Sequence, residues 1–555
     1  MRWSSRRTTL VLSLLLAPLA GCDSSNPSFW QPRNALLPLV PLDNQVAYVE
    51  TNSHTAFLLD PADTTFKPRM VPVGKTPVTA VKHSGGNQLI VLSQGDSGSA
   101  SAKAIPPQLA IIDAKPSVDP IAYTLAGRFD GLAQSAEGRF LVLYHTSSTQ
   151  NASDTGLFNP NEMTIVDFNK PHDPTVAIPT KSIRSLGGVP TRIEFSPPYP
   201  FAAGARNLTV VLSQNYVTIL DLDHPERTEV SVPLCPQSAG CTYSPDQIVF
   251  DPANLNIYVR AGNAKDIFQI TLTDLWPALP TDGISNDFHA SLSMLSVGAN
   301  PAAMVLFDTK NGPRLAVLAP ASKSLVIIDP STSHTTTITT TIPSNVMIPF
   351  TVLDATSTPR NQAMLIDTTN GNSSVLFADL EQVETTAGLA ISDAPLRASA
   401  SDVWPLLDPS GKCVSAILVL GKSSSVSAFT VVDFATRRFV DITASSSFGT
   451  PYLETRSPSR LWGVNAGTKL SWINLAAREG EATLAPSFVW LDQNVTAIHA
   501  LAAQSADSHR YLVVEQSDPD SIGNLTFLDA DKPDRATART AYGFLFSNYL
   551  ERGQP

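Results

Sequence analysis

Val46-Ala47-Tyr48-Val49-Glu50-Thr51-Asn52, then Ala56-Phe57-Leu58-Leu59-Asp60, reads as an apolar strand, a polar turn and a second apolar strand closed by an aspartate. The pattern returns nine more times. Leu89-Ile90-Val91-Leu92 leads to Leu109-Ala110-Ile111-Ile112-Asp113, and Leu208-Thr209-Val210-Val211-Leu212 leads to Val217-Thr218-Ile219-Leu220-Asp221. Leu315-Ala316-Val317-Leu318 leads to Leu325-Val326-Ile327-Ile328-Asp329. The closing positions are 60, 113, 167, 221, 274, 329, 379, 433, 474 and 529, an aspartate at each except Asn474. The spacing is nearly constant around the series, and only the interval from 433 to 474 is clearly short.

A period of this size, roughly fifty residues, in strand-rich sequence predicts an all-β fold, a β-propeller of about ten four-stranded blades. Strands buried on both faces between blades account for the near-continuous apolar runs. The closing aspartate suits an Asx turn, in which the carboxylate accepts from backbone two residues on. A single ring is favoured. Two smaller rings split near residues 275–295 are the alternative, but no linker interrupts the period there. The tail Tyr542-Gly543-Phe544-Leu545-Phe546-Ser547-Asn548-Tyr549-Leu550, or the segment before it, is expected to close the ring by completing a sheet with Val46–Glu50.

The links between hairpins also repeat. Gly74-Lys75-Thr76-Pro77, Gly187-Gly188-Val189-Pro190 and Gly298-Ala299-Asn300-Pro301 share one Gly-x-x-Pro spacing. Together with Tyr48-Val49-Glu50-Thr51-Asn52 and Asp60, this resembles the YVTN β-propeller repeat over residues 46–529. Long insertions in the second and third hairpins and the short step into the ninth hairpin depart from that pattern. The resemblance implies the fold and leaves the role open, because such propellers serve many functions.

The start of the chain indicates its destination. Arg2, Arg6 and Arg7 precede an apolar run from Leu10 to Leu16, then Leu19-Ala20-Gly21-Cys22. Basic, apolar and small-residue segments in that order read as a secretory signal, and the run is short of the ~20 residues of a membrane span. The cysteine after the small residues resembles a bacterial lipoprotein signal. That resemblance implies cleavage before Cys22 and a diacylglycerol on its thiol. Asp23 is similar to an inner-membrane retention signal of enterobacterial lipoproteins, and Ser5-Arg6-Arg7-Thr8-Thr9-Leu10 resembles a twin-arginine motif in which Thr9 replaces the usual Phe. The expected organisation is a signal peptide over 1–21, a lipid-anchored tether over 22–44 and the propeller over 45–555. The expected location is the bacterial cell envelope, on the periplasmic face or the cell surface.

Composition narrows the partners. Apolar residues make up 43% of the chain, enough for a substantial core, and 29 Gly with 44 Pro suit many turns. Charged residues are only 16%, and the formal charge is −11. Met1–Gly21 holds three arginines and no acid, so its removal leaves 35 basic against 49 acidic side chains, a formal −14. With no basic stripe, nucleic acid is excluded as an expected partner. Envelope proteins or polymers are expected instead, with the membrane reached through the N-terminal lipid.

Chemistry-bearing patterns are sparse. Cys235 and Cys241 flank a turn-like spacer and are expected to form a disulfide in an oxidising compartment. Cys413 opens an apolar strand and reads as a buried free thiol. The nine histidines form no close metal pair. Gly95-Asp96-Ser97-Gly98 is similar to a serine-protease nucleophile segment but lacks a matching histidine segment. Asp518-x-Asp520-x-x-Gly523-Asn524 lacks the later ligands of a calcium loop. No catalytic residue, metal site or cofactor is therefore assigned. The insertions Gln94–Gln108 and His145–Glu162 are candidate recognition loops, or simply tolerated loop growth. The favoured function is a non-catalytic, lipid-anchored binding or scaffold propeller. The alternative is a propeller enzyme, lactonase-like or dehydrogenase-subunit-like, with its site at the central channel.

Overall fold

In a computed structural model the described residues are 35–542, excepting 99–102, 147–158, 171, 184–187, 236–239, 277–283, 354–356, 383–389, 409–410, 422–427, 443–449, 455–459, 465–466, 476–482, 485, 502–508 and 518–523. The signal peptide, Cys22 and the tail beyond Tyr542 lie outside them, as does most of the Asp518–Asn524 segment. Ten antiparallel meanders follow one another along the chain. Blades 1 to 10 span 40–72, 77–124, 131–182, 192–233, 245–296, 303–339, 346–395, 400–442, 450–490 and 495–542. Among the described residues helix is confined to 3-10 turns such as Pro252–Asn254.

Ten apolar clusters hold the blades together, each between two consecutive blades. Each draws on the second and third strands, whose residues are buried along their length, as in Val46–Glu50 and Leu208–Ser213. Polar bonds lace the first strands of neighbouring blades. The Gln134 amide donates to the Lys82 carbonyl at 2.7 Å, and that of Gln247 donates to the Met304 carbonyl at 2.9 Å. The first strands thus line the channel, and each pairs on one side only, with its own second strand.

The tenth cluster closes a single ring: Val46 and Leu59 of blade 1 pack on Tyr511, Val513, Leu525 and Phe527 of blade 10. The Arg539 guanidinium of blade 10 also donates to the Pro61 carbonyl at 2.8 Å. Among the described residues no strand is shared between blades 1 and 10, and the tail beyond Tyr542 lies outside them. The segment Arg539–Tyr542 pairs inside blade 10, and Val46–Glu50 pairs only within blade 1. The seam is therefore made by side chains between two complete sheets. Residues 35–44, grouped with the tether in the sequence reading, carry the inner strand of blade 1, Val40–Pro41.

Two additions break the repeat. Between the first two strands of blade 4 a hairpin, Tyr199–Phe201 with Gly204–Arg206, leans onto blade 5. There the Tyr199 hydroxyl donates to the Asn256 carbonyl at 2.7 Å, and Phe201 stacks on Phe288. Blade 9 lends Thr483–Leu484 to blade 8, parallel to the outer strand Arg438–Ile442. The short step into the ninth hairpin thus precedes a connection in blade 9 that crosses to cover its neighbour's edge.

Cys235 and Cys241 form a disulfide with their Cα atoms 5.9 Å apart. It closes the link from blade 4 to blade 5, and so small a loop adds about 2 kcal/mol on the chain-entropy account. Such bonds persist in oxidising compartments outside the cytosol. Among the described residues no helix is long and apolar enough to cross a membrane.

Candidate functional site

The meander gives the ring two unlike faces. Turns from first to second and from third to fourth strands lie on one, here the upper face. Turns from second to third strands and the links between blades lie on the lower face. Both ends of the described chain are on the lower face: the Thr51 amide donates to Ala35, and Tyr542 pairs with Asn524, where the third strand of blade 10 starts.

The repeated aspartates belong to the upper face, and their roles are structural. Asp60, Asp113, Asp167, Asp221, Asp274, Asp329, Asp379 and Asp529 each accept from the backbone amide two residues on. Asp433 accepts three residues on, from Thr436. The Asx turn anticipated from sequence thus starts the third-to-fourth-strand connection in these blades. A partner at the start of the second strand often joins it, which the repeat did not signal: Arg139 on Asp167, Arg314 on Asp329, Arg360 on Asp379 and His509 on Asp529.

In blades 3 to 5 these pairs grow into a continuous network. Arg139 bridges Asp167 of its own blade and Asp223 of the next, at 3.0 and 2.9 Å. Arg206 and Arg227 both reach Asp287 of blade 5 at 2.8 Å, and both flank Asp221, at 3.6 and 3.9 Å. Burial pushes the Asp221 carboxyl above the usual carboxylate range. Burial acts the same way on Asp287, but the Arg206 and Arg227 hydrogen bonds outweigh it and hold that carboxyl low. The converging charges here pair with one another and tie three blades together. Among the described residues no three His, Cys, Asp or Glu side chains gather as metal ligands would.

Blades 6 to 8 present the opposite chemistry on the same face. Their inner strands, Ala303–Thr309, Val346–Leu353 and Ala400–Leu407, border a cleft of about 500 Å³. Phe307, Met347, Phe350 and Leu407 supply apolar walls, with Asn361, Gln362 and Lys412 as the main polar side chains. Phe350 is anchored below by stacking on Phe434, ring centroids 4.3 Å apart. Leu407 of the lining is 47% exposed, and Leu353, which ends the inner strand of blade 7, and Val414, next to the lining residue Cys413, are 67% and 45% exposed. Pockets of this size, mostly apolar with a few polar groups, are where proteins take ligands. Cys413 lines the cleft as a free thiol, which burial pushes up to about 11, so it stays protonated and a poor nucleophile.

The residues singled out from sequence fall elsewhere. Gly95-Asp96-Ser97-Gly98 is a lower-face loop, where Asp96 accepts from the Gly98 amide and faces Lys75 at 3.5 Å. Of the insertion His145–Glu162, residues 147–158 lie outside the described residues, and both enlarged loops leave from the lower face. A hollow of about 760 Å³ on that face is lined by turn residues such as Gln214, Ser244 and Asn263 beside the Asp246–Arg260 pair. The sequence signal for the upper cleft was available: Val346-Met347-Ile348-Pro349-Phe350 and Trp404-Pro405-Leu406-Leu407 are apolar runs with a proline inside. Mid-strand proline belongs on an edge, and here the unpaired edge faces the channel.

No protein family and no curated protein matches the sequence. Solved propeller-type structures resemble the fold at low identity. The dihydro-heme d1 dehydrogenase NirN, solved in complex with DHE, is 11% identical, with 94% of this chain and 80% of that one covered and a TM-score of 0.33. AztD from Citrobacter koseri, in its apo form, is 12% identical over 66% of this chain and 87% of its own, with a TM-score of 0.30. A protein of unknown function from Desulfotomaculum acetoxidans is 9% identical over 62% and 94%, with a TM-score of 0.29. These are likenesses of fold and nothing more.

Proposed function

We propose that this chain is an exported, lipid-anchored propeller of the YVTN type in the bacterial cell envelope, and that it binds a partner without catalysing a reaction. The observation that carries the binding role is the open apolar cleft of blades 6 to 8, with Leu407 on its lining and Leu353 and Val414 exposed on the same blades. Exposed apolar clusters of this kind mark interaction sites. The ionisable side chains that converge on the same face are engaged in pairing blades 3 to 5, which favours binding over an enzyme site there. Leu19-Ala20-Gly21-Cys22 supports export and lipidation of Cys22, and the Cys235–Cys241 disulfide supports an oxidising destination.

Two measurements test this. In a bacterial host the mature chain is expected in the membrane fraction with a diacylglycerol on Cys22, and Cys22→Ala is expected to leave it soluble. A photo-cross-linking residue at Leu407 is expected to trap an envelope component that the same residue at Asn300, exposed on the lower face, does not. A stoichiometric metal or cofactor on the purified chain, with no trapped component, would overturn the binding reading.

A further inference from the structure

We infer that the blade 6–8 cleft takes an extended protein segment carrying large apolar side chains and an acidic group. This rests on the binding role proposed above and names its ligand class. Three features point to it. The cleft runs across three blades, and the inner strands bordering it leave one backbone edge unpaired. An extended peptide satisfies such edges while its alternate side chains enter the apolar floor. Pro349 and Pro405 lie in register with Ala363 and Ala416 of the second strands, so their nitrogens belong to the free edge and withhold a donor from it. The edge is left richer in carbonyls, which accept from peptide N–H groups. The third feature is charge. Lys412 stands exposed on the rim, with no ion-pair partner among the described residues, in a chain whose overall charge is negative. An acidic residue in the segment would answer it.

The same geometry argues against lipid as the occupant. Chain entry at Ala35 is on the lower face, and only the segment 23–34 separates it from Cys22. Even fully extended that segment spans only about 40 Å. The lower face is therefore held toward the membrane that Cys22 enters, and the cleft opens away from it.

The test uses the mature chain in detergent, panned against phage-displayed twelve-residue peptides. Selected peptides are expected to combine two or more large apolar residues with Asp or Glu. Leu407→Asp is expected to weaken their binding tenfold or more. Lys412→Glu, on an exposed turn where folding is not at stake, is expected to weaken acidic peptides three- to tenfold and to shift selection toward basic ones. No enrichment, or peptides that bind both variants as well as the parent, would overturn the inference. So would co-sedimentation of Cys22→Ala with 3:1 phosphatidylethanolamine–phosphatidylglycerol vesicles that Leu407→Asp abolishes, because lipid would then be the ligand. Finding Cys22 unmodified would remove the anchor and the orientation argument, yet leave the peptide result standing.

Discussion

Blades 3 to 5 and blades 6 to 8 share one upper face and one strand plan, yet they treat that face in opposite ways. In the first group Arg139, Arg206 and Arg227 cross between blades and meet Asp167, Asp221, Asp223 and Asp287. In the second, Arg314 and Arg360 meet the aspartates of their own blades, Arg437 of blade 8 donates to Gln362 and Ser392 of blade 7, and the inner strands turn Leu353 and Leu407 outward. The turn aspartate recurs in every blade but the ninth. What varies is what surrounds it: in blades 3 to 5 arginine–aspartate pairs run across three blades as a clasp, while blades 6 to 8 set exposed apolar side chains on the same face. We propose stability as the work of one sector and recognition as that of the other, and each proposal can be tested.

The largest effect is expected below the cleft. Phe350 is buried and packs on Phe434 and Phe377 between blades 7 and 8. Phe350→Ala should cost about 4 kcal/mol in denaturant unfolding, as large-to-small core changes do. A near-neutral result would mean the cleft floor is looser than the core around it, and the contrast of firm floor and free rim would fail.

Next is the clasp. Arg206→Ala leaves Asp287 and Asp221, both buried, to share Arg227. Breaking such a set by removing one partner should cost about 3 kcal/mol, since a buried charge is left uncompensated. If the cost is small, the network is incidental, and the sector becomes a candidate site after all.

Sequence revealed the architecture because the second and third strands are enclosed by neighbouring blades, and enclosure writes itself as unbroken apolar runs such as Leu208–Leu212. The aspartates were legible for a local reason: an Asx turn needs only its own next residues. The outer strands were not, because one side meets solvent. Phe288–Ser296, for example, mixes Ser and His with Leu and Met. The clasp was invisible because Arg139 finds Asp223 from 84 residues away, at a distance no period encodes. The tail beyond Tyr542 lies outside the described residues. Within them the ring closes through Phe527, Tyr511 and their neighbours, whose runs look like those of every other blade. The cleft was missed because Pro349 and Pro405 weaken a strand reading where the channel edge tolerates them.

Acid should separate carboxylates within the clasp. Asp287 and Asp223 are held below their ordinary values, so each contributes stability that is complete above about pH 4 and is lost as pH falls further. Asp221 has the opposite sign: its value is raised, so its ionised form opposes folding and proton uptake relieves it. Between pH 5 and pH 3 the melting temperature should fall. The fall should be shallower in Asp287→Asn, by the equivalent of about 1 kcal/mol, and at least as steep in Asp221→Asn. Identical acid limbs in all three proteins would mean that these carboxylates do not govern the seam between blades 4 and 5.

The smallest effect on stability is expected at the rim, and it is the most discriminating. Leu353 and Leu407 are large, apolar and well exposed, so they contribute little to the fold they sit on. Leu353→Ser and Leu407→Ser should each shift unfolding by no more than about 0.5 kcal/mol, as surface changes do. A residue kept for packing would lose stability when truncated. A residue kept for contact would lose only its partner, and solubility should improve as apolar surface is removed. If either change costs about 2 kcal/mol or more, the range of a truncated core leucine, the rim is part of the core. The two halves of the upper face would then differ only in how they hold themselves together.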